Sequence, residues 1–181
     1  MGFADKLRGA LEKTKNKPRV KWKRRPEILL LPTIPKPLHG VNPRTVLGSK
    51  WWDETRRAAY RSTEQHCITC GVHKYSAPRC LLDGHELYET DYLAGRLYYI
   101  ETVPLCKTCH SYIHSGRLLM LFEEGKITKE EYDVTIAYGE LVLKQARITI
   151  PPPSNEEFAD WEDWRLVVNG KEYPPKNPKP T

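Results

Sequence analysis

The chain has 181 residues, a formal charge of +6, fifteen prolines and five cysteines. That length fits one compact domain with appendages and is too short for a barrel or a doubly wound enzyme with a second domain. No apolar run approaches the ~20 residues of a membrane span, and the first residues lack the apolar segment and cleavage site of a signal peptide. No membrane role and a cytoplasmic, reducing location are therefore expected, with cysteines serving as thiolates or metal ligands.

The charge is concentrated at one end. Residues 1–25 hold ten Lys/Arg against two acids, Asp5 and Glu12, which puts +8 on that arm and leaves −2 on the other 156 residues. A basic arm (residues 1–26) is an electrostatic handle for nucleic acid, with Lys21, Lys23, Arg24 and Arg25 among its candidate contacts. A solubilising tail would have the same composition. Within the arm, Phe3, Leu7, Ala10 and Leu11 sit at helical spacing over residues 2–15. Six prolines between Pro18 and Pro43 predict an extended, non-helical strap or linker, assigned to residues 27–48.

Order is expected to return at Ser49, a cap for a helix over Lys50–Arg61. Trp51, Thr55, Ala58 and Ala59 would face inward, and Arg56, Arg57 and Arg61 outward. Tyr75–Tyr88 and Tyr98–Val103 have strand composition, and the segment ending at His114 turns helical and stops at Gly116. A helix over Arg117–Glu124 would end at Gly125. Another starts at Thr128, where Glu131 completes a capping box, and runs to about Ala146 with Tyr132, Ile136, Leu141 and Leu143 inward. Residues 49–147 thus form the main domain. Residues 148–181 form a Pro-rich, acidic extension in which Trp161 and Trp164 should pack on the core, because the five acids around them would repel phosphate. Asn169-Gly170 marks a hairpin turn between Arg165–Val168 and Glu172–Tyr173.

Two Cys-x-x-Cys pairs are the most specific feature. A two-residue gap lets both thiolates of a knuckle reach one tetrahedral ion, so Cys67, Cys70, Cys106 and Cys109 form a structural zinc set. The 35 residues between the pairs exceed the ~15–20 of a simple ribbon, so a substantial insertion separates them. Cys80 is left over. His110 follows the last of these cysteines and His114 comes four residues later, so on a helix they share a face. The stretch carrying His85 is pinned at both ends by the knuckles. His85, His110, His114 and Glu86 therefore converge, offering donors to a second divalent cation.

These residues resemble the HNH endonucleases, ββα-metal nucleases often stapled by a four-cysteine zinc. The resemblance is carried by the helix with Trp51 and Arg56–Arg57, by Cys67-x-x-Cys70-Gly71, by Leu82-Asp83-Gly84-His85-Glu86 and by Leu105-Cys106-x-x-Cys109-His110-x-x-x-His114. It spans about residues 49–116 and implies an α+β fold: a small zinc-stapled ββα-metal core with flanking helices and Pro-rich arms. It also implies hydrolysis of DNA phosphodiester bonds, with zinc structural and Mg²⁺ or another divalent ion catalytic. His85 would be the general base, His114 a ligand to the catalytic ion, and His110 would take the place usually held by an asparagine that orients the base. An imidazole, with an unperturbed pKa of about 6.5, suits such a base.

The chain departs from the family pattern at Gly84, where an acid or histidine commonly ligates the ion. Either His85 is itself a ligand and Glu86 does another job, or a register shift lets Asp83 or Glu86 serve the ion. Strand alternation favours Asp83 on the face of His85 and Glu86 on the other, unless a bulge at Gly84 changes the register. Arg56, Arg57, Arg61 and Arg96 would hold the nucleic-acid backbone. DNA is the expected partner, with RNA open, and the Pro-rich or acidic segments could dock a protein. The alternative function is a non-catalytic, zinc-stabilised module for nucleic-acid binding or complex assembly. His39, His66 and His73 have no matching position.

Overall fold

The computed structural model describes residues 22–78, 81–150 and 158–176. Lys21, Cys80, the helix expected over residues 2–15 and the triple proline at 151–153 lie outside them.

Leu82–Asp91 (β1) and Arg96–Cys106 (β2) pair antiparallel as a long hairpin, with Leu82 opposite Cys106 and His85 opposite Val103. Asp91 accepts the Ala94 N–H and Gly95 takes φ +66°, which closes the turn. β1 begins at Leu82 instead of Tyr75, because His73 Nδ1 accepts the Tyr75 N–H and Lys74–Ser76 winds into a 3₁₀ turn. Both strands outrun their sequence-based ends, since cross-strand pairing continues from Asp91–Arg96 to Leu82–Cys106. Arg165–Val168 (β3) adds parallel to β2, and Lys171–Tyr173 (β4) pairs antiparallel with β3, giving the sheet order β1-β2-β3-β4. Asn169 and Gly170, at φ +52° and +74°, make the predicted two-residue turn.

The helices are Pro43–Ser62 (α1), Lys107–Ile113 (α2), Ser115–Glu123 (α3) and Lys129–Gln145 (α4), so the fold is α+β. α1 starts ahead of the expected Ser49. Asn42 and Thr45 form a reciprocal capping box, with Pro43 at the position that needs no N–H. Gly48, at φ +87°, then kinks the helix where the predicted segment begins. Its inward face includes Ala59 but not Ala58, which is exposed. α2 and α3 break at His114 and not at Gly116. Thr128 and Glu131 cap α4 as expected, but its inward side is Gly139, Val142 and Leu143, with Leu141 turned to solvent.

The Pro-rich stretch is not uniformly extended. Pro26–Leu30 and Lys36–Leu38 wind into 3₁₀ turns that bury Ile28, Leu29 and Leu38. Ile28 and Leu29 join Leu105, Val103, Val142 and Leu143 in one apolar cluster around the buried cysteines. Leu38 and Val41 join Leu97, Leu166, Val168 and Trp164 in a second. Trp164, 2% exposed, packs as expected. No helix among the described residues is long and apolar enough to cross a membrane.

Candidate functional site

The two knuckles meet because backbone hydrogen bonds tie three segments together. The Arg25 N–H donates to Ile68 O, and the Ile68 N–H donates to Pro104 O, so the end of the basic arm, the first knuckle and the end of β2 form one unit. Gly71, at φ +80°, turns the first knuckle and lets its N–H reach Cys67 O at 2.9 Å. The second knuckle runs from the last residue of β2 into α2. The sulfurs of Cys67, Cys70, Cys106 and Cys109 consequently lie within 4.8 Å of one another, an arrangement that could hold a zinc ion. Hydrogen bonds from Cys106, Cys109 and Cys70 hold the Cys67 thiol far below its ordinary range, while the same contacts push the Cys106 and Cys109 thiols up, so without a cation the four sulfurs do not all ionise together.

A second cluster sits beside it. The ligand atoms of His85, His110 and His114 also lie within 4.8 Å of one another. β1 supplies His85, α2 supplies His110, and His114 stands at the α2–α3 break. The three rings pack edge-on, with centroids 4.9–5.2 Å apart. His85 is 7% exposed. Burial, then the charge of His110 and His114, pushes its pKa down to about 3. Burial likewise lowers His114, at the rim, to about 4. His110 Nδ1–H donates to Asp83 Oδ2 at 2.9 Å, and that bond holds the Asp83 carboxyl below its usual range. A carboxylate on Nδ1 fixes the tautomer and leaves Nε2 with a free lone pair, as in metal sites that orient their histidines by a second layer of hydrogen bonds. The donor set therefore fits a divalent ion.

Asp83 and His85 both reach His110, so they share a strand face, and the register irregularity falls between Leu87 and Tyr88, not at Gly84. Gly84 faces α1. A Cβ there would lie 3.1 Å from the Trp52 ring and from Arg56 Cβ. A carboxylate at position 84 would meet that helix on the side away from the imidazoles. Glu86 alternates onto the same side as Gly84, where burial raises its carboxyl pKa, and no hydrogen bond joins it to the three histidines. The Trp52 contact was not legible beforehand, although a tryptophan pair opposite a strand glycine is the signal that could have raised it.

The candidate nucleic-acid arginines are mostly engaged within the protein. Arg24 Nε donates to Thr69 O, and Arg25 pairs with Glu101. Arg56 pairs with Asp53 at 2.8 Å and Arg57 with the same carboxylate at 3.8 Å. Arg96 is held by Glu172, Ala94 O and Asp163 O and fastens β2 to the C-terminal hairpin. Lys23 is exposed. His66 and His73 pair as an isolated bridge, with their rings 4.8 Å apart, and neither belongs to the His85–His110–His114 cluster.

No protein-family model, curated protein or solved structure matches the chain.

Proposed function

We propose that the chain is a metal-dependent endonuclease of the HNH type that hydrolyses DNA phosphodiester bonds. In this reading β1, β2 and α2 form the ββα unit, and the four-cysteine cluster is its zinc staple. The observation that carries it is the convergence of His85, His110 and His114 beside that cluster, with Asp83 on His110.

The residues divide the work by position. His110, oriented by Asp83, and His114 at the solvent rim are the ligand pair for a divalent ion. That ion would lend Lewis-acid charge to the scissile phosphate and its leaving oxygen. Imidazole donors suit Zn²⁺ or Ni²⁺ better than Mg²⁺, which prefers oxygen. His85 takes the proton from the attacking water. Burial keeps it neutral, so its lone pair is available at pH 7, but also weakens it as a base. A phosphate anion arriving beside it favours the imidazolium and restores its basicity.

The test is cleavage of supercoiled plasmid with Ni²⁺, Mn²⁺ or Mg²⁺ added in turn. Wild type should nick, and His85→Ala should slow nicking at least about a hundredfold with its zinc content unchanged. Salt-sensitive DNA binding with no cleavage under any ion would replace this reading with the non-catalytic module.

A further inference from the structure

One side of the imidazole site opens into a cleft of about 140 Å³, bounded by Lys107 and Ser111 of α2, Arg117 of α3, and His110 and His114. The spacing 107–110/111–114–117 makes one continuous stripe from α2 across the His114 break into α3, so two cations and two imidazoles share a wall. Both cations are exposed. Among the described residues the ion pairs use Arg25, Arg56, Arg57, Arg96, Lys126 and Lys129, together with the His110–Asp83 bond, and neither Lys107 nor Arg117 takes part. The nearby carboxylate, Asp83, is committed to His110. The cleft wall thus carries two cations that take part in no ion pair, with the Asp83 carboxylate the nearby acid that Lys107 also feels. Such a cleft calls for an anion. Its volume admits one tetrahedral oxyanion, and both cations offer N–H donors from the shared wall.

We propose that this cleft is a phosphate seat, in which Lys107 and Arg117 grip the phosphate next to the scissile one along a nucleic-acid strand. The assignment rests on the nuclease reading for the identity of the neighbouring, reacting phosphate. The two phosphates are distinct because His85, which must reach the attacking water, does not line the cleft. The substrate class that follows is a strand with at least two successive phosphates, and an isolated phosphodiester is held poorly. Lys107 and Arg117 are positioning residues and touch no reacting atom.

The experiment uses the full zinc-loaded chain and has two arms. In the first, oligonucleotides carry a neutral methylphosphonate at single positions flanking the cleavage site. One flanking position should raise KM about tenfold for wild type, the loss expected for one charge-assisted contact. The same linkage should add nothing further for the Lys107→Gln/Arg117→Gln variant. In the second arm, inorganic phosphate is titrated and followed by backbone amide shifts. Wild type should respond at α2 and α3, and each single substitution should weaken binding about tenfold. Cleavage that ignores every neutral linkage and both substitutions overturns the seat and leaves the nuclease reading standing. Phosphate binding that weakens in the variants of a chain that cuts no DNA supports the seat and removes the nuclease reading.

Discussion

Gly139 tests how the helices beside the cysteine and histidine clusters are packed. It lies inside α4, where helix propensity alone says that Gly139→Ala should stabilise the protein by about 1 kcal/mol. The tertiary structure reverses the sign. A Cβ at that position would stand 2.2 Å from Tyr112 Cδ2 and 2.3 Å from its Cγ, in a region where Gly139 is buried. Those atoms belong to the inner edge of the ring, so no free side-chain end can swing away. Either the ring leaves its place or α4 moves off α2. Overpacking of this kind falls at the upper end of its usual range, about 3 kcal/mol. Less the propensity gain, the net loss is about 2 kcal/mol, or roughly 4–8 °C in Tm for a domain of this size. Thermal and urea unfolding of the zinc-loaded protein would measure it. The decisive control is Gly139→Ala in a Tyr112→Ala background, where the obstacle is gone and the alanine should stabilise by about 1 kcal/mol. If Gly139→Ala alone raises the melting temperature, the contact between α4 and α2 is wrong. Tyr112 lies two residues from His110 and from His114, so a displaced ring should also disturb the imidazole site.

Zinc removal should unfold the half of the protein built on the cysteines. Cys67, Cys106 and Cys109 are buried in the same cluster as Ile28, Leu105 and Val142, and structural zinc contributes about 10–16 kcal/mol, as much as the whole net stability of a typical domain. Chelation or Cys109→Ser should abolish cooperative unfolding by circular dichroism, and a sharp transition surviving in zinc-free protein would refute the staple. Acid should weaken the protein with no divalent ion added beyond the zinc. His85 titrates near 6.5 when unfolded but is pushed down to about 3 when folded, so the unfolded chain takes the proton first. Stability should then decline as pH falls from about 6.5 towards 3, by up to about 1.4 kcal/mol per pH unit for this one group. Urea midpoints between pH 7.5 and 5 should show a flatter profile for His85→Asn, and parallel profiles would refute burial as the cause.

What could be read from the sequence is what neighbouring residues decide among themselves. The Cys-x-x-Cys pairs, the 110/114 spacing, the Thr128–Glu131 capping box and the Asn169-Gly170 turn each depend on groups within four residues of one another, where backbone geometry leaves few alternatives. Their positions followed directly from residue order. Even the shared face of Asp83 and His85 came from strand alternation. The rest needed the chain to fold back on itself. Asp83 meets His110 across 27 positions of sequence, and Trp52 covers Gly84 because α1 lies on the hairpin. On α4 Leu141 is exposed and Val142 buried, on a helix whose Gly139 lies against Tyr112 of α2. The prolines of the strap signalled an extended segment, yet Ile28, Leu29 and Leu38 draw it into both cores. Lys107 and Arg117 look like ordinary surface cations until the break at His114 brings them to one cleft. Burial and charge pairing act through space, so a single sequence names the groups with the chemistry and leaves to tertiary packing which of them meet.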